Sequence, residues 1–593
     1  MLAPDSRHLL GDALRPPPGH VVDVAVGTTY SLDLTSLLTA PLSFALHDTT
    51  NAADGLTDPV TLLHALRRHA EHTTVFFQAG ELAVPSAYRS VFAHLEDVAH
   101  GVTAPAAGYL FHPKLWALRF RAADGQARHR VVCLSRNLTA DRSWDTVVKL
   151  DQADQDGHAS IGAEPLRQFL RGLPGCAARP LPMARRGQVH DLVTSLDGVA
   201  FEVPIPFRSG DLLPLGLGAE PEPPDRHVDR AVVISPFLDS RFVAWMRQRA
   251  GQCTWVSRAE TFERLGSKAF ADDDLYVLQP QAEDDDVQGE SSLSGLHAKV
   301  LVLDKGGSAK VITGSANATW AAWNGNAEFD VVLNGPSASC GAAALFGEGR
   351  GQGGLRTILL PYEIDSINPA KPAAEVLEEE VEDWLRALAV APLDLHVEPD
   401  GEEFYLRLHL PAVAQLGTVR IAPAPLPFEV HAKSWAGELA WHRLTLQDIS
   451  PYLAVEVVLE RNGLKVTRRR LLVADLHGDV PDRQRKLLAN FLRSKKDVLR
   501  LLVLLLGDEA AAELFAAELT DRDSGALRNR AGEERTPLFE RLVRALARDH
   551  AALRRVDRLL ADMASDPGLL DLLPDGFGEL WQPVRQVWRE QDR

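Results

Sequence analysis

The sequence predicts an α/β protein made of two similar halves, followed by an all-β module and a helical C-terminal region. Strand-like runs alternate with helical runs as far as residue 388, and one short motif occurs in both halves. Such alternation is typical of a mixed sheet flanked by helices, and a repeated motif indicates a duplicated unit. The predicted units are residues 1–215, 225–388, 390–476 and 480–593.

Each half has short apolar runs rich in β-branched residues, which predict strands. In the first half, which also has a helical stretch at Pro59–His72, they are Val21–Val26, Thr74–Phe77, Tyr109–Phe120, Arg130–Leu134 and Thr146–Leu150. In the second half, which has a helix at Phe237–Ala250, they are Arg230–Ile234, Thr254–Val256, Leu275–Leu278, Leu296–Leu303, Lys310–Thr313 and Asp330–Leu333. A proline-rich connector at residues 218–225 separates the halves.

The character of the sequence changes after residue 390. Alternating runs predict a small all-β module with strands at Leu393–Val397, Phe404–Leu410, Thr418–Ile421, Ala454–Glu460 and Val466–Val473. Helical patterns follow at Arg483–Leu506, Ala510–Leu519, Pro537–Ala564 and Gly576–Arg589. A helical region of this kind serves oligomerisation, partner docking or substrate binding, and a homodimer formed through it stays open.

Composition excludes several classes of protein. A chain of 593 residues exceeds what one hydrophobic core supports, and 45% hydrophobic with 24% charged residues is ordinary for a soluble protein. Four widely spaced cysteines argue against a disulfide framework and a zinc site. The N-terminus lacks an apolar signal region, and Leu501–Leu506 is too short to span a bilayer. We expect a cytoplasmic protein without membrane contact.

The net charge of −18 disfavours nucleic-acid binding by simple attraction, although the charge is unevenly distributed. Residues 461–500 are strongly basic and offer a local contact for a phosphate backbone. An equally good alternative is a solvated helix face and strand edge. The candidate nucleic-acid-binding residues are Arg468, Arg469, Arg470, Arg485, Lys486, Lys495 and Lys496.

The candidate catalytic residues lie in the repeated motif. Its second copy reads His297-Ala-Lys299, then Asp304, then Gly314-Ser315-Ala316-Asn317, and its first copy reads His112-Pro-Lys114, then Ser135-Arg136-Asn137. On a strand, side chains two apart share one face, so each His and Lys would point the same way. Two such clusters facing each other supply a nucleophile, a general acid, fixed cations and amide donors. Those are the parts of a phosphodiester-cleaving site.

This pattern resembles the phospholipase D superfamily, whose motif is His-x-Lys, four residues, Asp, and then Gly-Ser-x-Asn. The second copy fits it throughout, and Glu328 stands where the family places a later acid. The first copy departs: Arg119 replaces the Asp, Leu134 replaces the Gly, and Asp145 is the candidate later acid. The resemblance covers about residues 20 to 385.

The resemblance implies a metal-independent phosphodiesterase without a cofactor, working through a phosphohistidine. His112 would be the nucleophile and His297 the general acid and base. The cations and amides that would hold the phosphate oxygens are Lys114, Lys299, Asn137 and Asn317. Asp304, Glu328 and Asp145 are candidates to orient the histidines, and Ser135 and Ser315 would brace the site.

The degenerate first motif and the appended modules favour a nuclease acting on DNA, in phage defence or DNA maintenance. Because the chain has no Walker motif, an ATPase or helicase would be a separate partner. One alternative is a phospholipid phosphodiesterase or cardiolipin-type synthase. Another is a catalytically inactive scaffold that binds nucleic acid or a partner.

Overall fold

The architecture comes from a computed structural model of the chain. It describes residues 10–51, 69–140, 143–154, 159–217, 227–279, 295–348, 354–364, 371–481, 483 and 576–591, with a few positions between 542 and 560. The connector, the helix predicted at Ala510–Leu519 and most of the helices predicted at Pro59–His72, Arg483–Leu506 and Pro537–Ala564 lie outside these residues.

Six strands form the first sheet, in the order β4-β2-β1-β5-β6-β8. The strands β1, β2 and β4 run parallel, and β5, β6 and β8 follow antiparallel. In chain order, this first part of the molecule contains β1 (His20–Thr29), β2 (Thr73–Gln78), β3 (Leu82–Ala83), β4 (Ala99–Val102), β5 (Leu115–Ala122), β6 (Ala127–Leu134), β7 (Ser143–Trp144), β8 (Val147–Asp151), β9 (Ser160–Gly162) and β10 (Ala200–Glu202).

The second sheet repeats this pattern and adds a strand at each edge, in the order β11-β18-β17-β16-β12-β13-β14-β19. Parallel β12, β13 and β14 correspond to β1, β2 and β4, and antiparallel β16, β17 and β18 correspond to β5, β6 and β8. The strands of this part are β11 (Ser209–Leu215), β12 (Val228–Ile234), β13 (Ala250–Val256), β14 (Asp274–Leu278), β15 (Gly295–Leu296), β16 (Val300–Lys305), β17 (Ser308–Gly314), β18 (Glu328–Pro336) and β19 (Leu359–Pro361).

Two further sheets share one apolar core and form a β-sandwich. The four-stranded sheet has the order β24-β21-β20-β27, and the five-stranded sheet has the order β23-β22-β25-β26-β3. The sandwich therefore borrows β3 from the first part of the chain. Its own strands are β20 (Asp394–Asp400), β21 (Glu403–His409), β22 (Thr418–Pro423), β23 (Lys433–Ser434), β24 (Glu438–Leu444), β25 (Tyr452–Arg461), β26 (Leu464–Val473) and β27 (Asp475–His477).

Helices lie between the strands, and the long helix Ala373–Val390 joins the second sheet to the sandwich. Its Leu377, Val381 and Leu385, at helical spacing, are buried in the sandwich core. The other α-helices are Leu10–Leu14, Leu34–Asn51, Glu164–Gly172, Met183–Ser195, Ser240–Arg247, Ala259–Leu265, Ser267–Phe270, Trp320–Asn324, Ser337–Cys340, Ala342–Phe346, Phe428–His431 and Phe577–Gln591. The 3₁₀ helices are Ser90–Leu95, Leu173–Cys176, Leu355–Ile358 and Leu446–Asp448. In the part of the chain that is described, no helix is both long and apolar enough to cross a bilayer.

The predicted α/β class is confirmed, and three details differ from the sequence-based expectation. The strand Ser209–Leu215, placed in the first predicted unit, pairs with β18 of the second sheet. The strands predicted to carry the His-x-Lys motifs begin only after each lysine, at Leu115 and Val300. Several strands have no counterpart among the predicted ones, among them β4, at one edge of the first sheet, and β24, which pairs with β21.

A cavity of about 340 Å³ lies where the edge of the first sheet meets the sandwich. Beside it, the buried Arg483 guanidinium pairs with Glu96 at 2.6 Å and with Asp479 at 2.7 Å. The ring of His100, on β4, lines the same cavity, and its Nε2 lies 3.1 Å from the carbonyl oxygen of Asp97. Burial, together with the nearby Arg185 charge, lowers the pKa of His100 to about 4.

The neutral state of His100, which is partly buried, makes stability sensitive to acid. Between pH 6.5 and 4 the unfolded chain binds a proton that the folded His100 excludes, so stability falls as the pH falls through that window. His100→Gln keeps a donor for Asp97 and removes the titration. We expect wild type to lose about 3 kcal/mol relative to this variant by pH 4, at about 1.4 kcal/mol per pKa unit.

Urea unfolding of both proteins at several pH values measures the difference. The exposed His409→Gln serves as a control that should follow wild type. Parallel pH profiles for wild type and His100→Gln would contradict the prediction.

Candidate active site

The two His-x-Lys segments cross at the junction of the first and second sheets, each paired with the other half of the repeat. The backbone N–H of His112 donates to the Ala327 carbonyl at 2.8 Å, beside the bridge between Phe111 and Ala327. In the same way, the N–H of His297 donates to the Trp144 carbonyl at 2.9 Å, where β15 pairs with β7. The two motifs therefore meet in one place.

His112 is held in a single tautomer by two partners. Lys114 Nζ, which can only donate, lies 2.9 Å from His112 Nε2, so that nitrogen carries the lone pair. The proton is therefore on Nδ1, which donates to Glu328 Oε2 at 2.8 Å. A neutral imidazole with its lone pair on Nε2 and an acid behind Nδ1 is the form needed for nucleophilic attack, and Lys114 must release Nε2 when it binds a substrate oxygen.

Glu328 accepts two further hydrogen bonds whose directions are fixed by the backbone. Ser315 Oγ accepts from the N–H of Phe329 and therefore donates to Glu328 Oε2 at 2.5 Å. Asn326 Oδ1 accepts from the N–H of Leu110, so its amide nitrogen donates to Glu328 Oε1 at 3.2 Å. Donors thus surround the buried side chain, and they favour the carboxylate form, although burial raises the pKa of Glu328.

His297 is oriented by a backbone carbonyl. Its Nδ1 donates to the Ser135 oxygen at 2.8 Å, and that oxygen also accepts from Lys299 Nζ at 3.3 Å. Lys299 Nζ donates in addition to the His297 carbonyl at 2.8 Å. Within the described residues, His297 Nε2 makes no hydrogen bond, so this nitrogen is available for proton transfer.

The cluster is buried, and burial governs its electrostatics. Lys114 is 0% exposed, Lys299 3% and Glu328 0%. Desolvation first, and the neighbouring lysine charges second, lower the pKa values of His112 and His297 far below the ordinary range. Burial and Lys114 likewise lower the pKa of Lys299. Both histidines are therefore neutral until an anion enters the site.

Ser135 and Ser315 occupy equivalent positions and brace their own turns. Ser135 Oγ accepts from the N–H of Thr146 at 2.8 Å, just as Ser315 Oγ accepts from that of Phe329. Asn137 Oδ1 is buried and has no partner in the described part of the chain, and Asn317 Oδ1 lies 3.5 Å from Ser235 Oγ. Both amides are thus weakly engaged within the protein.

A steric constraint requires glycine at position 314 of the second motif, and this constraint is absent at the equivalent position of the first motif. A Cβ on Gly314, whose φ is +158°, would lie 2.3 Å from an oxygen of Asp330, the residue opposite it in the sheet. The Asp330 side chain accepts from the N–H of Ala316 at 3.1 Å and so fixes the turn before Asn317. In the first motif Leu134 faces Val147, and no acid requires the space. Asp330 was not among the predicted site residues, although it follows Glu328 by two residues.

Two of the three predicted orienting acids lie elsewhere. Asp304 is near the far end of β16, where its carboxylate accepts from the N–H of Ala342 at 3.0 Å. Asp145, at the position equivalent to Glu328, forms an ion pair with Arg136 at 3.7 Å. Glu328 contacts His112, and it does so across the junction.

The arginines of β26 face acids of the protein itself, which argues against the predicted nucleic-acid contact. These pairs are Arg468 with Glu378 and Glu382, Arg469 with Glu429 and Glu456, and Arg470 with Glu382 and Glu81. The remaining basic candidates, Arg485, Lys486, Lys495 and Lys496, lie outside the described residues.

Tyr30 connects these ion pairs to the candidate active site, and it was not among the predicted site residues. The Tyr30 ring centroid is 5.2 Å from that of His112, and its hydroxyl donates to Glu81 at 2.8 Å. Glu81 also accepts from Arg386 Nη1 at 2.9 Å. No local motif marks Tyr30, because its partners are distant in the sequence.

The described residues contain no group of three or more His, Cys, Asp or Glu arranged to hold a metal ion. Chemically, the junction offers a nucleophilic nitrogen, a second histidine for proton transfer, two cations and two amides. An anionic centre of tetrahedral shape, such as a phosphodiester, matches this set of groups.

No family model and no curated protein matches the sequence. Among solved structures, the chain is similar to the polyphosphate kinase from Porphyromonas gingivalis, with 11% sequence identity and a TM-score of 0.27. The match covers 63% of this chain and 44% of that chain, so this protein spans less than half of the kinase. A likeness this remote says nothing about the chemistry, which depends on the geometry at the junction.

Removal of one ion-pair partner on β26 tests the internal role of its arginines. The Arg470 guanidinium lies 2.7 Å from Glu382, and both side chains are at most a quarter exposed. Arg470→Met and Glu382→Met should each destabilise the protein, and the double variant should be less destabilised than the sum by about 1 kcal/mol. Urea unfolding of the four proteins measures this coupling, and strict additivity would contradict it.

Proposed function

We propose that the protein is a metal-independent phosphodiesterase in which the two sheets are the two lobes of a phospholipase D-type enzyme. The observation that carries the proposal is the reciprocal hold on the histidines: His112 is bound by Glu328 of the second motif, and His297 by Ser135 of the first. Two His-x-Lys pairs that occur by chance are not expected to lie together or to have both lysines buried. Nor is each histidine expected to be oriented by a group from the opposite half of the repeat.

The positive charges of the two lysines would attract the anionic substrate first. Lys114 and Lys299, with the amides of Asn137 and Asn317, would hold the non-bridging oxygens of a phosphodiester. The bound anion opposes the two lysine charges, and it therefore raises the pKa of His297. His297 can then carry a proton on Nε2 while Nδ1 still donates to Ser135.

In the first step, His112 Nε2 attacks phosphorus and a P–N bond forms as the bond to the leaving oxygen breaks. The leaving oxygen takes the proton from His297 Nε2. Glu328 stabilises the positive charge that develops on the imidazole of His112. In the second step, His297 accepts a proton from water, whose oxygen attacks phosphorus and breaks the P–N bond.

The substrate we propose is DNA, and the setting is phage defence or DNA maintenance with a separate ATPase or helicase. What supports this is the degenerate first motif and the appended sandwich and C-terminal region. The described arginines of β26 do not add to that support, because they are paired with glutamates.

Cleavage without metal, dependent on both histidines, is the direct test. Labelled single- and double-stranded DNA and RNA are incubated with the protein in EDTA. His112→Ala and His297→Ala should each lower cleavage at least about a thousandfold, since one removes the nucleophile and the other the proton donor. The exposed His442→Ala is the matched control and should cleave like wild type.

Rapid quenching identifies the covalent step. With substrate labelled at the scissile phosphorus, an acid-labile phosphoenzyme should form in wild type, accumulate in His297→Ala, and be absent from His112→Ala. Label on another residue would contradict the assignment of His112. Failure of wild type to cleave any polymer or a small activated phosphodiester would contradict the proposed function.

Glu328 contacts His112, whereas the equivalent acid, Asp145, contacts Arg136. Substitution of the two acids should therefore lower kcat to different extents. Glu328→Gln should lower kcat about 10- to 100-fold, because an amide cannot stabilise the imidazolium that forms on His112. Asp145→Asn, which weakens an ion pair with Arg136 and leaves the hydrogen bonds of both histidines in place, should change kcat less than about threefold. Comparable losses in both variants, measured on the same substrate, would refute the proposed asymmetry.

A further inference from the structure

Beside the catalytic cluster, the second half of the repeat has an exposed aromatic ring that does not belong to its hydrophobic core. Phe237 is 48% exposed, although it lies three residues after the buried end of β12 at Ile234. The guanidinium carbon of Arg258 lies over its ring, 5.1 Å from the centroid. An exposed aromatic residue alone would mean little, but a ring paired with a cation offers both a stacking face and a positive charge.

This pair is tied to both ends of the second motif. On one side, Arg258 Nη2 donates to the carbonyl of Leu296, the residue before His297, at 3.1 Å. On the other side, Ser235 Oγ donates to the Phe237 carbonyl at 2.8 Å and accepts from the N–H of Ala318, which follows Asn317, at 3.0 Å. The Phe237–Arg258 pair is thus anchored between His297 and Asn317.

A second pair of the same kind continues the surface. The guanidinium of the exposed Arg241 lies 3.8 Å from the ring centroid of Trp320, three residues after Asn317. The Asp239 carboxylate accepts from the N–H groups of Phe242 and Trp320. The nearby acid is therefore engaged with the backbone, and its charge is partly offset.

We propose that this aromatic rim, consisting of Phe237, Arg258, Trp320 and Arg241, binds the nucleotide next to the scissile phosphate, with its base on Phe237. The inference rests on the proposed function and names its substrate class as single-stranded nucleic acid. A base within a duplex is covered on both faces by its neighbours, and an unpaired base can leave the stack to meet a side-chain ring. The guanidinium of Arg258 would then face the adjoining phosphate.

The test compares Phe237→Leu with Phe237→Tyr in the full-length protein, so that the first variant keeps an apolar side chain without a ring and the second keeps the ring. The substrates are a single-stranded DNA oligonucleotide, the same strand with abasic residues flanking the cleavage site, and the duplex. Leu360→Ala, an exposed apolar residue on the edge strand β19, is the control. A small activated phosphodiester without a base reports on the chemistry alone.

We expect wild type to prefer the single strand over the duplex. Phe237→Leu should lose about tenfold in kcat/KM on the base-bearing strand, the size expected for one lost stacking contact, and nothing on the abasic strand or the small diester. Phe237→Tyr and Leu360→Ala should resemble wild type. Equal kcat/KM values for Phe237→Leu and wild type on the base-bearing strand would overturn the proposal.

The two proposals fail separately. If wild type cleaves neither DNA nor the small diester, the proposed function fails. Binding of the labelled single strand, measured by fluorescence anisotropy, then tests the rim. Binding by wild type that is about tenfold weaker in Phe237→Leu would support it, whereas absent binding or equal affinity would overturn it.

Discussion

The structure depends on the burial of two lysine ammonium groups at the junction of two sheets. An isolated buried charge costs several kcal/mol, and such a charge is tolerated only where acceptors and counter-charges surround it. Here the acceptors come from both halves of the repeat: Lys299 uses the Ser135 carbonyl, and Glu328 supplies negative charge beside Lys114. Each lysine also donates to the backbone carbonyl of the histidine in its own motif, so the contacts across the junction complete surroundings that each half begins.

The two halves share a topology, but their equivalent acids have different partners. Glu328 reaches across the junction to His112, and its equivalent, Asp145, turns toward Arg136. A carboxylate behind one imidazole and a carbonyl behind the other give the two rings different basicities. A duplicated fold can thus provide two chemically distinct histidines from nearly identical backbone positions.

The sequence was sufficient for the parts of the structure that obey local rules. Strand periodicity and the repeated motif predicted most of the strands, and the motif marked the histidines and lysines that meet at the junction. Local patterns could not say which acid would orient a histidine, because Glu328 is 216 residues from His112. They also could not show that the arginines of β26 are paired, since Arg470 and Glu382 are 88 residues apart. A run of like charge in the sequence need not be a charged patch on the surface.

The short strand β3 makes the first part of the chain and the sandwich interdependent. Two residues, Leu82 and Ala83, complete a sheet of the sandwich, although they lie between β2 and β4 of the first sheet in the sequence. A chain cut before the sandwich would leave β3 without its partner β26, and an isolated sandwich would have β26 as an open edge. Neither part could therefore be exchanged for an unrelated domain without leaving an unpaired strand on the other.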